Sequence, residues 1–201
     1  RVFKLPIGAL AVCLLGFLVL AAAADAADPA VPWDAAMPLT WDLFQCAPPA
    51  DAVHRSEAAA IHMTIRWHAS YSATSSGGSC TGWVESVTVT NMMDPMRSWV
   101  VAGAADERVL QHEQLHFDLN EVYRRKLEIV LTRVRSNQPT ERAALDALYD
   151  TLHRLAEENL GQLELVQARY DAESSHGNDA AGQARWASQI RAWLAYPTDA
   201  P

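Results

Sequence analysis

Cysteine is scarce in this chain of 201 residues: there are three, too few for a disulfide-built scaffold or a four-cysteine zinc site. Glycine and proline are also sparse, at nine and ten residues, and half of the chain is hydrophobic. Those proportions exclude collagen-like and wholly disordered classes. Positive charge is short as well, with 16 Lys and Arg against 24 Asp and Glu, a net −8. A polyanion is repelled on average, so nucleic acid and anionic membrane are not expected as partners. Long hydrophobic runs are missing except for one at the start, and no internal repeat or low-complexity tract follows it. What remains is enough chain for one domain with a buried core.

The one long run follows Arg1 and Lys4, extends from Leu5 to Leu20, and ends on Ala21 to Ala24. Positive charge, apolar centre and a small-residue end read as a secretory signal peptide over residues 1–24. A retained membrane anchor is the rival reading, because the run is about as long as a short spanning helix needs. Pro6, Gly8 and Gly16 weaken that rival. A secreted or periplasmic protein is therefore expected, with cleavage near Ala24 and no membrane attachment afterwards. Cleavage leaves Cys46 and Cys80, for which an oxidising compartment predicts one disulfide.

Residues 25–38 are rich in Pro and Ala and read as a linker, and residues 39–196 as a single domain. Its first half carries strand signals. Leu39 to Trp41 is short and β-prone, Ile61, Met63, Ile65 and Trp67 alternate, and Val84, Val87 and Val89 mark a further strand over 83–90. Ser75 to Ser79 reads as the turn between the last two. From Asp106, a plausible N-cap, the period becomes helical as far as Val134. Ser136 to Thr140 reads as a break, and a second long helix is expected to end near Tyr170. Residues 171–182 read as a loop, followed by a short helix carrying Trp186, Ile190 and Trp193. The expected class is α+β: a small antiparallel sheet, two long helices and a short C-terminal helix.

The chemistry-bearing motif is His112-Glu113-Gln114-Leu115-His116. Residues i and i+4 lie one above the other on a helix, so both imidazoles can hold one Zn²⁺. Glu113, one step round, can take a proton from a metal-bound water without being a ligand. This is the His-Glu-x-x-His pattern of zinc peptidases. At these His and Glu frequencies the pattern is expected by chance about 0.013 times. Leu119 and Val122 stand where a metzincin carries Gly and His, so that subclass is excluded. A catalytic zinc usually takes three protein ligands. Candidates for the third are His153, within the second helix, His176, beside Gly177 past its end, Asp171 and several Glu.

Thr40-Trp41, Ser98-Trp99-Val100, His112-Glu-Gln-Leu-His116-Phe117-Asp118, Tyr170-Asp171-x-Glu-x-x-His176-Gly177 and Gln183-x-x-Trp186 occur in this order. Together they resemble a bacterial domain-of-unknown-function family of predicted secreted zinc-dependent proteases. Leu115 and Ser175 depart mildly from the family's pattern. The resemblance covers roughly residues 39–194 and implies a zincin-like fold with Zn²⁺ as cofactor. It implies His112, His116 and His176 as zinc ligands and Glu113 as the catalytic base. The expected function is a secreted metallopeptidase acting on a peptide or protein through a zinc-activated water. The alternative is a non-catalytic exported zinc-binding domain, which a fourth protein ligand such as Asp171 or Glu173 would favour.

Other residues read more plainly. Asp118 and Asn120 are candidates to support the histidines, with Asn120 on the His116 face. Tyr170 and Tyr123 are candidates for oxyanion stabilisation, with a core-edge role as the simpler reading. His54, His62 and His68 show no ligand spacing. The basic residues from Arg124 to Arg135 complement the dipole of the first long helix.

Overall fold

A computed structural model describes residues 30–52 and 57–201. The proposed signal peptide, residues 25–29 of the linker and His54 lie outside them. The chain is α+β, as its periodicities predict. Its strands are β1 (Val31–Pro32), β2 (Ala59–Ala60), β3 (Met63–Ser76), β4 (Ser79–Met93), β5 (Trp99–Val100) and, after the first helix, β6 (Arg135–Gln138). Its helices are α1 (Glu107–Thr132), α2 (Glu141–Ser174) and α3 (Ala180–Ala195).

The alternating residues of β3 and β4 form a long antiparallel hairpin. β4 is longer at both ends than the alternation over 83–90 suggests, whereas β3 extends further at the turn but starts at Met63, leaving Ile61 outside it. Gly77 and Gly78, both at positive φ, turn the chain between Ser76 and Ser79. Register slips by one residue at Ser70/Tyr71, where β4 carries the extra residue. With β3 along one edge of β4, the other edge receives β1 at Met92–Met93 and β6 at Cys80–Trp83. A separate two-stranded sheet pairs β2 with β5.

Four local expectations are corrected. Residues 41–43 form a 3₁₀ turn rather than a strand, because Leu43 and Phe44 N–H groups bond back to Thr40 and Trp41. Residues 31–33, within the stretch read as a linker, join the sheet through Val31–Pro32 and anchor Trp33 Nε1 on Asp118 at 2.8 Å. The break between the long helices holds β6, whose polar residues gave no strand signal and pair because β4 offers a free edge. The expected loop over 171–182 shrinks to the segment between Ser174 and Ala180, since α2 runs four residues past Tyr170.

The Cys46–Cys80 disulfide is likewise corrected: both thiols are free. Cys80 lies at the hairpin tip between Ser75 and Gln138, whereas Cys46 bridges Trp99, just past the opposite end of β4. Roughly 40 Å of strand, at about 3.3 Å per residue, runs between those ends.

α1 is the central helix, packed against β4 on one side and against α2 and α3 on others. Asp106 caps it by accepting the Val109 N–H, as read, and Thr140 caps α2 in the same way. Leu127 and Leu131 of α1 meet Leu148 and Leu152 of α2 beneath Ala69, Val84 and Val89 of the sheet. Leu119, Val122 and Tyr123 of α1 meet Tyr170 of α2 and Trp186, Ile190 and Trp193 of α3. A third cluster, Leu39, Phe44, Met93 and Phe117, binds the N-terminal segment to α1. The result is a helix buried round most of its surface, even at positions occupied by His112, Glu113 and Asn120.

Candidate metal centre

α1 delivers His112 and His116 one turn apart, and α2 lies across them. The two Nε2 atoms face each other at 3.1 Å. Asp171, near the end of α2, inserts Oδ1 between them, 3.1 Å from His112 Nε2 and 2.9 Å from His116 Nε2. His176 Nδ1 is 3.6 Å from the same oxygen. One donor atom from each of His112, Asp171 and His176 lies within 4.8 Å of the others. The structure thus brings His112, His116 and His176 round Asp171, which the sequence offered as an alternative ligand.

The other imidazole nitrogens are occupied by glutamines. His116 Nδ1 contacts Gln167 Oε1, and Gln167 Nε2 donates to the His116 carbonyl at 3.0 Å, which orients the amide. His112 Nδ1 contacts Gln183 Oε1 at 3.4 Å, an oxygen that also accepts from the Tyr170 hydroxyl at 2.9 Å. With each Nδ1–H given to an amide oxygen, each neutral imidazole presents its Nε2 lone pair inward. Two such lone pairs and a carboxylate oxygen repel one another unless a proton or a cation sits among them. Donors about 2.0–2.1 Å from a tetrahedral zinc are about 3.3 Å apart, close to the observed 2.9–3.1 Å. The donor set fits a zinc-sized cation.

Protons on the two Nε2 atoms can fill the same place. Burial works against charge on Asp171, but hydrogen bonds from His112 and His116 and their charges hold its carboxyl well below the usual range. For His116, burial disfavours the cation, yet the hydrogen bond and charge of Asp171, with Glu113 and Gln167, raise its pKa. Glu113 moves the other way from Asp171. Burial raises its pKa, against the opposing charges of His116 and His112 and the Ile61 N–H, which donates to Oε2 at 2.9 Å.

A cavity of about 280 Å³ opens over these groups. Residues 57–61 and Met63 line it together with Arg108 and Val109 of α1. His112, Glu113, His116, Asp171, His176 and Asn178 complete the lining. His176 sits in a left-handed turn, with φ of 50° at Ser175, 51° at His176 and 78° at Gly177. A Cβ at Gly177 would stand 3.0 Å from His112 Cβ and 3.1 Å from its Cγ, so both backbone sign and space require glycine there.

Several candidates lie elsewhere. His153 packs edge-on to Trp67 and beside Tyr149, away from the cluster. Asp118 binds Trp33 and Gln114, and Glu173 binds Trp186 Nε1 at 3.0 Å. Asn120 reaches Asn91 and, at 3.5 Å, Gln167, so it touches His116 only through the glutamine. Tyr170 is fully buried, stacked on His112 with its hydroxyl on Gln183, and Tyr123 bonds the Pro201 carbonyl. Neither tyrosine lines the cavity.

Gln167 is the residue that sequence reasoning missed. Its signal is the i,i+4 pair Gln167–Asp171 on α2, which mirrors His112–His116 on α1, but nothing local says that the two pairs meet. No family model, curated protein or solved structure matches this chain.

Proposed function

We propose that this protein is a zinc-dependent hydrolase of peptide bonds, zincin-like in its active-site arrangement. The observation that carries the reading is the inward-facing pair of His112 and His116 Nε2 atoms around the Asp171 carboxylate, with buried Glu113 on the same cavity. His112 and His116 hold the ion together with a donor from residues 171–176, where Asp171 and His176 lie. An ion held there would supply a Lewis acid and would bring the pKa of a water towards neutrality. The Ile61 N–H fixes Glu113 Oε2, leaving Oε1 to take the proton of the attacking water and return it to the leaving amine. A carboxyl whose pKa burial has raised suits that return step, because it holds the proton long enough to deliver it.

The cavity wall supports an extended substrate. Val101 N–H bonds Ala58 C=O at 2.8 Å, and Ala60 pairs with Trp99, so the N–H and C=O of Ala59 turn to the edge away from β5. That edge borders the cavity, where a peptide backbone can add as a further strand. Residues 1–24 act as the export signal in this reading, and the substrate is a peptide or protein met outside the cytoplasm. Among the described residues no helix is long and apolar enough to cross a membrane. The residues shared with the predicted secreted zinc-protease family point the same way.

The test is Glu113→Gln. It keeps size and the Ile61 hydrogen bond but removes the base, so bound zinc and thermal stability should hardly change. Hydrolysis of a responsive peptide from a broad library should fall by roughly 10²–10⁴-fold. Wild-type cleavage rates in this variant would overturn the mechanism. A non-catalytic zinc-binding domain would show neither cleavage nor any effect of the substitution.

A further inference from the structure

The centre gathers four candidate donors, whereas a catalytic zinc takes three protein ligands and keeps one position open. Resting on the zinc reading above, we infer that Asp171 is the third ligand, and that His176 is not a ligand but the residue facing substrate from the cavity rim.

Asp171 Oδ1 contacts both Nε2 atoms, at 3.1 and 2.9 Å, whereas His176 Nδ1 stands 3.6 Å from Asp171 Oδ1 and within 4.8 Å of a His112 donor atom. That spacing by itself admits either residue; burial separates them. Side-chain exposure is 7% at His112, 12% at His116 and 30% at Asp171, but 65% at His176. A ligand held by a rigid element is placed more accurately than one on a turn. Asp171 stands on α2 one turn after Gln167, which itself secures His116.

The turn that carries His176 is held at a cost in backbone strain. Two consecutive non-glycine residues at φ near 50° are unfavourable and persist only where their surroundings over-determine them. Here His176 N–H bonds the Asp171 carbonyl at 2.9 Å, and Asp179 N–H bonds the Ser174 carbonyl at 2.8 Å. Arg108 Nη1 donates to the Gly177 carbonyl at 3.1 Å and to Asn178 Oδ1 at 2.8 Å. Arg108 is thus a positioning residue that ties the turn to α1, one turn before His112. These contacts hold an exposed imidazole at the cavity that contains Glu113, within reach of a substrate. Its role is to donate a hydrogen bond to the carbonyl oxygen of the scissile bond as negative charge develops there.

The experiment compares zinc content and chelator competition in wild type, Asp171→Asn and His176→Asn, with circular dichroism as the folding control. Asparagine is used at 176 because it tolerates the left-handed backbone. Asp171→Asn should weaken zinc binding by more than about 100-fold, and Asp171→Glu should restore part of it. His176→Asn should keep zinc affinity within about threefold and leave the visible spectrum of the cobalt-substituted protein unchanged. On the peptide used for the Glu113 test it should lower kcat by roughly 10²–10³-fold with little change in KM. Loss of zinc from His176→Asn, or wild-type zinc affinity in Asp171→Asn, would overturn the assignment. A folded wild type that binds no zinc would instead overturn the zinc reading itself.

Discussion

Gln167 and Gln183 carry no charge and do not line the cavity over the candidate metal centre, yet they set the direction in which His116 and His112 offer their lone pairs. The Gln167 contact is the more telling, because the same amide also donates to the His116 carbonyl and so has one orientation. Gln167→Leu keeps much of the volume and removes the acceptor, freeing the imidazole to rotate or change tautomer. Zinc affinity should fall by roughly 10–100-fold, read by competition with a chromogenic chelator. Unchanged affinity would mean that packing alone orients His116. Tyr170, edge-on to His116 at 4.8 Å between ring centres, is the neighbour that could do so.

Among the elements, β6 is the one whose sequence argues least for it, and it helps to join α2 to the sheet. It pairs with Cys80–Trp83 of β4 just before α2 begins, and Gly82 is the point of closest approach. A Cβ at Gly82 would stand 2.5 Å from Ser136 Oγ and 2.8 Å from Leu148 Cδ1, so the Ser136 hydroxyl and the Leu148 side chain would both have to shift. Gly82→Ala should therefore destabilise the fold by roughly 1–3 kcal/mol through overpacking, measured by urea or thermal unfolding. The zinc affinity should be unaffected, because the metal centre lies near the opposite end of α2. A stability equal to wild type would show that Ser136 and Leu148 relax without cost.

For the whole molecule, the proposed zinc joins α1 to the far end of α2, where the helices also meet through apolar packing and through the Gln167–His116 and Tyr170–His112 hydrogen bonds. A ligand that binds only the folded state stabilises it by about 4 kcal/mol at 1,000 times its Kd. For a domain of this size that corresponds to a Tm higher by roughly 8–16 °C. Stripping zinc with a chelator should remove this increment and re-addition should restore it, by differential scanning calorimetry. No change in Tm would argue against a bridging ion. The two thiols make a separate prediction. Because Cys46 and Cys80 lie near opposite ends of the hairpin, both should alkylate in denatured, unreduced protein, as read by peptide mass spectrometry. A Cys46–Cys80 cross-linked peptide would contradict the fold described.

What the sequence determined by itself is local. The helical period from Asp106, the cap at Asp106, and the alternation in β3 and β4 follow from hydrogen bonds and side-chain directions within a few residues. The same locality puts His112 and His116 on one helix face and Glu113 beside them. The tertiary structure alone decided which distant residues meet them. Asp171 lies 55 and 59 residues from the two histidines, and Gln167 and Gln183 lie 51 and 71 residues from theirs. Those separations are closed by the packing of α2 and α3 on α1, a sum of many apolar contacts that no single motif encodes. β1 and β6 exist for the same reason: a polar or two-residue segment becomes a strand when a neighbour presents an unpaired edge. The cysteines show the converse, because an oxidising compartment favours a disulfide only where the fold brings the two Cα atoms within reach, and this fold holds them apart.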